Sequence, residues 1–253
     1  MQVLYSRCAG LDVHKETIVA CVRLLEANGV VTEIRTFATT TAGLVELSNW
    51  LSQHGCTHVA MEATGVYWKP VWHVLDDGEF ALVLANAAHV KNVPGRKTDV
   101  SDATWLAELL AHGLIRASFV PDAPTQELRT LLRTRKQLVR EKASHTQRIH
   151  KTLEDANIKL DAVIATVLGK SGRAMLDALV AGESDPERLV ALAHPGLKAP
   201  KDKLRAALTG RVKPHHRFLL GLHLKQIDAL DAAIAAIDGE HPLSHRGRVA
   251  DLH

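Results

Sequence analysis

Pro121-Asp122-Ala123-Pro124 divides the chain into two stretches with different patterns. Proline removes a backbone donor and fixes φ, so two prolines this close interrupt any regular element. Ahead of them, short apolar runs rich in β-branched residues are punctuated by glycine. Behind them, apolar residues recur at helical spacing. The sequence therefore predicts an α/β part over 1–124, a helical part over 125–240 and an irregular tail over 241–253. With 253 residues and 46% apolar composition, both main parts can bury a core.

Charge divides at the same place. Residues 1–124 carry a balance of −4 and residues 125–253 one of +7, which together give the net +3. An acidic front and a basic back suit a carboxylate metal site beside a polyanion-binding surface. No run of eighteen apolar residues exists, so no membrane span is expected. MQVLYSRCAGLDVHK lacks the zones of a signal peptide. Cys8, Cys21 and Cys56 form neither a metal-ligand spacing nor a disulfide framework, so a reducing cytoplasm is expected.

In the front part, Cys8 to Leu11 reads as a strand end leading into Asp12, and Thr17 to Leu25 as a second strand. Asn28-Gly29 is a hairpin signal, and Val30 to Phe37 reads as a third strand. Thr40 or Thr41 caps a helix with Leu44, Leu47 and Leu51 on one face. Thr57 to Met61 is a strand ending at Glu62, Tyr67 to Leu75 a helix with Pro70 in its first turn, and Ala81 to Leu84 a buried strand. A meander followed by alternating strands and helices gives an open mixed sheet. No G-x-G-x-x-G follows a strand, so no nucleotide cofactor has its fingerprint.

Four carboxylates stand where chemistry is expected. Asp12 and Glu62 end strands, and ligands of α/β sheets collect beyond strand ends. Asp99 and Asp102 open a helix running to Leu110, three residues apart and on nearly the same face. Such a cluster repels itself unless a cation neutralises it, and oxygen ligands favour magnesium or manganese over zinc. Each residue also has an ordinary use: a turn or cap for Asp12 and Asp99, a pairing with Lys69 or Lys91 for Glu62. His14 and Lys15 follow Asp12 and can reach a phosphate or simply solvate a turn. His215 and His216 read as exposed loop residues.

The helical part opens with a long helix over about Thr125 to Ala156. Between 129 and 151 it carries Arg129, Arg133, Arg135, Lys136, Arg140, Lys142, Arg148 and Lys151 against the single acid Glu141. Such a helix suits sequence-independent contact with a nucleic-acid backbone; the competing use is a solvated face over packed leucines. From Leu160 to Gly210, short helices are broken by glycine and proline. A last helix from about His216 to Ile237 places Leu220, Ile227 and Ile234 seven apart, with Leu230 and Ile237 in the alternate seam and His223 as a polar gap. It pairs either with the basic helix or with a second subunit, and Asp238-Gly239 is expected to stop it.

The stretches GLDVHKETI around Asp12, MEATGVYWKP around Glu62 and NAAHVKNVPGRKTDVSDATWLAELLAHGLI around Asp99 and Asp102 resemble the DEDD transposases of bacterial insertion sequences. The resemblance runs in order over nearly all of residues 7–240. It implies a ribonuclease-H-like α/β fold of the Holliday-junction-resolvase kind with flanking helices, followed by a coiled-coil-like long-helix region. It implies that Asp12, Glu62, Asp99 and Asp102 form a magnesium-binding tetrad for phosphodiester chemistry. It also implies element-end and target DNA as partners and a guide RNA that selects them, while a homodimer or higher oligomer through helix 216–237 is the expectation of the heptad pattern if that helix does not pair within the chain. The cytoplasmic location expected from the cysteines becomes a nucleoid one when the chain is bound to DNA.

The family continues into a domain with a Pro-Gly-Ile-Gly-like hairpin and a serine proposed as the DNA nucleophile. Here DGEHPLSHRGRVADLH follows the last helix, which reads as a truncated or frameshifted product, and Ser244 is not assigned that role. Three other functions compete: a metal-dependent resolvase-like nuclease using the carboxylates alone, a non-catalytic nucleic-acid-binding module carried by residues 129–151, and an actin-like sugar or acetate kinase. The kinase lacks a glycine-rich phosphate cradle.

Overall fold

The computed structural model describes residues 2–63, 65–92 and 101–240. The chain separates into two compact units, Met1–Pro121 and Asp122–His253.

The first unit is built on a five-stranded sheet. β1 (Arg7–Val13), β2 (Thr17–Glu26) and β3 (Gly29–Ala38) form an antiparallel meander. The turn between β2 and β3 uses Ala27 and Asn28, with the positive φ falling on Gly29 alone. α1 (Thr41–Gln53) begins at Thr40, whose hydroxyl accepts the Gly43 N–H. β4 (His58–Glu62) then pairs parallel with β1, and after α2 (Trp68–Leu75), β5 (Ala81–Ala85) pairs parallel with β4. The sheet order is β3-β2-β1-β4-β5. A meander feeding two parallel crossover strands on its far side is the ribonuclease-H-like arrangement. α3 (Ala87–Asn92) and α4 (Asp102–Ala111) complete the unit.

Strand alternation sorts the sheet into two faces. Ala9, Leu11, Val13, Val59 and Met61 pack with α1 and α2 residues such as Leu47, Leu51, Val71 and Leu75. On the other face, Cys8 and Ala60 pack against Leu110 and Ala111 of α4, and Ala85 against Trp105, Leu106 and Leu109. Gly10 lies directly beneath α4. A Cβ there would collide with the Ala103 carbonyl oxygen and the Ala107 nitrogen, and would lie 2.8 Å from Leu106 Cβ.

The second unit is helical. α5 (Ala123–Asp155) runs for 33 residues, with Pro124 in its first turn. A 3-10 turn (Leu160–Ala162) and the short helices α6 (Lys170–Ala181), α7 (Pro186–Ala191) and α8 (Lys201–Leu208) follow. α9 (Pro214–Glu240) packs against α5 and α6. Ile149 and Leu153 of α5 meet Leu176 and Leu179 of α6 and Leu220, Leu224 and Ile227 of α9 in one core.

Two expectations are corrected here. Asp238-Gly239 does not stop the last helix, which continues to Glu240 with Asp238 ion-paired to Arg135. His215 and His216 are not loop residues: both lie in the first turn of α9, and His216 is only 3% exposed. The heptad-like seam faces α5 within the same chain, and the polar gap at His223 is filled by His145, with Nδ1 atoms 3.2 Å apart.

Candidate active site and nucleic-acid interface

Parallel register places two acids side by side. Leu11 pairs with Met61, so Asp12 and Glu62 are the next residues along neighbouring strands. By alternation both belong to the face that carries Cys8, Gly10 and Ala60, which is the α4 face. α4 lies over β1 with Ala103 above Gly10 and Leu110 and Ala111 beside Cys8, so its N-terminus sits over the C-terminal end of β1. Asp102, the first residue of α4, is thereby brought to the same end of the sheet as Asp12 and Glu62. The helix dipole favours a carboxylate there. Asp12 is one-quarter exposed, Glu62 half-buried and Asp102 exposed, and Asp12 Oδ2 lies 3.1 Å from His14 Nε2.

The helix start differs from the expected one. Ser101 is the N-cap, its hydroxyl accepting the Thr104 N–H at 3.2 Å, so the helix begins at Asp102. Asp99 lies outside the described residues, as do Ser244 and the rest of the tail. Lys15 is exposed in the β1–β2 turn, where its carbonyl accepts the Thr39 hydroxyl at 2.8 Å.

An ion pair between a buried arginine and a half-exposed glutamate holds α4 in place. Arg23 of β2 is 4% exposed and its Nε donates to Glu108 Oε2 at 2.6 Å, while His112 reaches the other oxygen at 3.0 Å. Burial pushes the Glu108 carboxyl up, but the hydrogen bond and charge of Arg23, joined by His112, leave it below its ordinary 4.5. Burial makes two of the cysteines poor nucleophiles, raising Cys8 to about 11 and Cys56 to about 12.

The cations of α5 divide between two faces. At about 100° per residue, Arg129, Arg133, Lys136, Arg140 and Lys151 fall within an arc of about 60°, with Arg148 about 60° beyond it, and all six are exposed. Arg135 and Lys142 point the other way, to Asp238 and Asp231 of α9. Those two of the eight expected backbone contacts are therefore occupied inside the unit.

At the other end of α5, one donor atom each from Asp155, His215 and His216 lies within 4.8 Å of the others, a spacing that a divalent cation can share. Nitrogen donors favour ions such as zinc over magnesium. His216 already uses both ring nitrogens. Nδ1 accepts the Lys213 N–H at 3.1 Å, so the proton lies on Nε2, which donates to Asp155 Oδ2 at 2.7 Å. A cation would compete with this clamp for the same atoms.

A family model of transposases, the DEDD type of IS110 elements, matches residues 9–158. The chain belongs to this family. Among solved structures, RuvC of Thermus thermophilus in complex with a Holliday junction substrate aligns with 44% of this chain and 99% of its own, at 11% identity and a TM-score of 0.32. Another structure of Thermus thermophilus RuvC covers the same shares at 12% identity and a TM-score of 0.32. No curated protein matches the chain. The DEDD family match runs from Ala9 in β1 through the rest of the sheet, α4 and α5. Among the described residues, no helix is long and apolar enough to cross a membrane.

Sequence reasoning within the DEDD framework missed Arg23, Glu108 and the His216 clamp. Arg23 interrupts an otherwise apolar strand, and that interruption was the one available signal, since its partner lies 85 positions away.

Proposed function

We propose that the first unit cleaves DNA phosphodiesters in a metal-dependent reaction, and that it does so as part of the movement of an insertion element. The observation that carries this is the meeting of Asp12, Glu62 and Asp102 at one end of a ribonuclease-H-like sheet in a DEDD-family chain. Their donor set is all carboxylate oxygen, which fits magnesium or manganese, and by resemblance Asp99 completes it. When bound, the metal supplies Lewis-acid activation of the phosphate and of the attacking oxygen. The protein's part is positional. The β1–β4 register fixes Asp12 beside Glu62, the close approach at Gly10 sets the height of α4, and the Arg23–Glu108 pair locks it.

The exposed α5 face (Arg129, Arg133, Lys136, Arg140, Arg148 and Lys151) binds the polyanions, element-end and target DNA and a guide RNA, with Lys15 adding a contact near Asp12. The seam of helix 216–237 is taken up by α5, so copies of the chain associate through the apolar residues that helix leaves exposed, Phe218, Leu219 and Leu222. A resolvase-like nuclease is the second reading. It is favoured because all three described carboxylates lie in the first unit, so hydrolysis needs no residue from elsewhere.

Purified chain incubated with magnesium and either a four-way junction or an element-end duplex, then resolved on denaturing gels, tests both readings. Nicks that require metal are expected, with Asp12→Asn, Glu62→Gln and Asp102→Asn each slower by roughly 10²–10³-fold. Preference for the junction over the duplex selects the resolvase reading. Cutting that persists in the three variants, or without metal, would sink the proposal.

A further inference from the structure

The end of the sheet that carries Glu62 has a second feature one strand over. The Ala63 N–H donates to the Ala85 carbonyl at 2.9 Å, and β5 stops there. Asn86 Oδ1 then accepts the Ala88 N–H at 2.9 Å, which turns the chain away. The segment after α4 returns to this point: the Ser118 N–H donates to the Leu84 carbonyl at 2.7 Å, and Ala117 bridges to Ala85. Between the two segments lies a cleft of about 480 Å³ whose described lining is Asn86, Ala88, His89, Arg116, Ala117 and Ser118.

The chemistry of that lining has one sign. Among the described residues it holds a guanidinium, an imidazole, an amide and a hydroxyl, and no carboxylate. Arg116 is exposed and forms no ion pair among the described residues, unlike the buried Arg23 and the α9-paired Arg135. His89 Nε2 stands 3.3 Å from the Leu114 carbonyl, so a proton on that nitrogen fixes the ring against the returning segment. The Asn86 oxygen is engaged in the turn, which leaves its amide N–H groups as donors. Glu62 pairs with Ala85, and adjacent strands are about 4.8 Å apart. The cleft therefore opens beside the strand next to the one that carries Glu62, at the same end of the sheet.

We propose that this cleft seats a backbone phosphate of the DNA strand a few nucleotides from the one held at the carboxylates. Arg116 makes the charged contact, with Asn86, His89 and Ser118 as neutral partners. The guanidinium fork matches two phosphate oxygens at once. The cleft sets the strand's register and acts as a positioning site. This inference rests on the proposed DNA-cleaving function.

The test uses the whole chain and a short duplex in which single phosphates are replaced, one at a time, by uncharged methylphosphonates. In the parent protein, one replacement near the cleavage position should weaken binding by roughly tenfold. In Arg116→Ala that same replacement should have no further effect. The slope of log affinity against log salt should flatten by about 0.9. Arg116→Lys should recover the salt slope but only part of the affinity. Because Arg116 is exposed, the variant should keep the parent's circular dichroism.

A parent that binds DNA, together with an Arg116→Ala chain showing the same affinity, salt slope and methylphosphonate profile, overturns the cleft and leaves the cleavage reading standing. A parent that binds no DNA overturns the cleavage reading and the DNA ligand with it. Inorganic phosphate then judges the cleft on its own: a shift of the His89 imidazole resonance in the parent and none in Arg116→Ala supports an anion seat, and no shift in the parent overturns it.

Discussion

At Gly10 the absence of a side chain is what lets α4 lie against β1. The atoms that a Cβ would strike are main-chain atoms of Ala103 and Ala107, which cannot swing aside as a side-chain tip can. Gly10→Ala should therefore cost about 1–3 kcal/mol, seen as a lower urea midpoint, and should displace Asp102 enough to slow cleavage in the folded fraction. An unchanged midpoint would show that the helix shifts freely. Glu108 gives a prediction in pH. Its carboxyl sits below 4.5 when folded, so the ion pair stabilises fully above that value and is lost as the pH falls through the depressed native value. The stability gap between the parent and Glu108→Gln should narrow as the pH drops below 4.5, measured by denaturant unfolding. Legibility at this scale follows reach along the chain. The positions of Asp12 and Glu62 at one end of neighbouring strands could be read because each follows an apolar run, a local signal. Arg23 and Glu108 could not, because the burial that gives their pairing its meaning is created by a strand and a helix that meet only in three dimensions.

Among the elements, α5 carries the sharpest internal contrast. One side holds six exposed cations, and the other spends Arg135 and Lys142 on Asp238 and Asp231. Replacing Arg133, Lys136 and Arg140 with alanine should weaken DNA binding similarly across sequences and flatten the salt slope by about 0.9 per lost contact. Replacing Arg135 and Lys142 should leave that slope unchanged while lowering the thermal midpoint. If the two sets behave alike, the division into faces is wrong. His223 adds a pH dependence to the α5–α9 pairing. Burial, then His145 and Arg148, hold its pKa below 6.5, so unfolding takes up a proton and stability falls as the pH drops below 6.5. Parent melting temperatures should decline over that range, and His223→Leu should flatten the decline. The strands and the long helices were legible from periodicity. The end of α9 was not, since a glycine inside a helix costs only about 1 kcal/mol, which an ion pair at Asp238 and packing further up can offset.

Across the whole molecule, the change of pattern at Pro121–Pro124 coincides with the division into two compact units. Phe119, 84% exposed just before that boundary, is a natural point for chymotrypsin. Brief digestion should release two fragments close to 1–119 and 120–253 that keep their circular dichroism, and rapid loss of both fragments would contradict separate cores. The order of elements also has a consequence for the chain as it is made. Asp12 and Asp102 lie 90 positions apart, and Glu62 joins Asp12 only after a parallel crossover that spans two strands and a helix. Long-range pairing of this kind closes late, because loop entropy must be overcome first. A nascent chain that has exposed β1 and β4 holds two acids without the third. Asp102 joins Asp12 and Glu62 at their end of the sheet only once α4 has left the ribosome and settled over Gly10, so under the proposed function the growing polypeptide stays inert toward the nucleic acid around it.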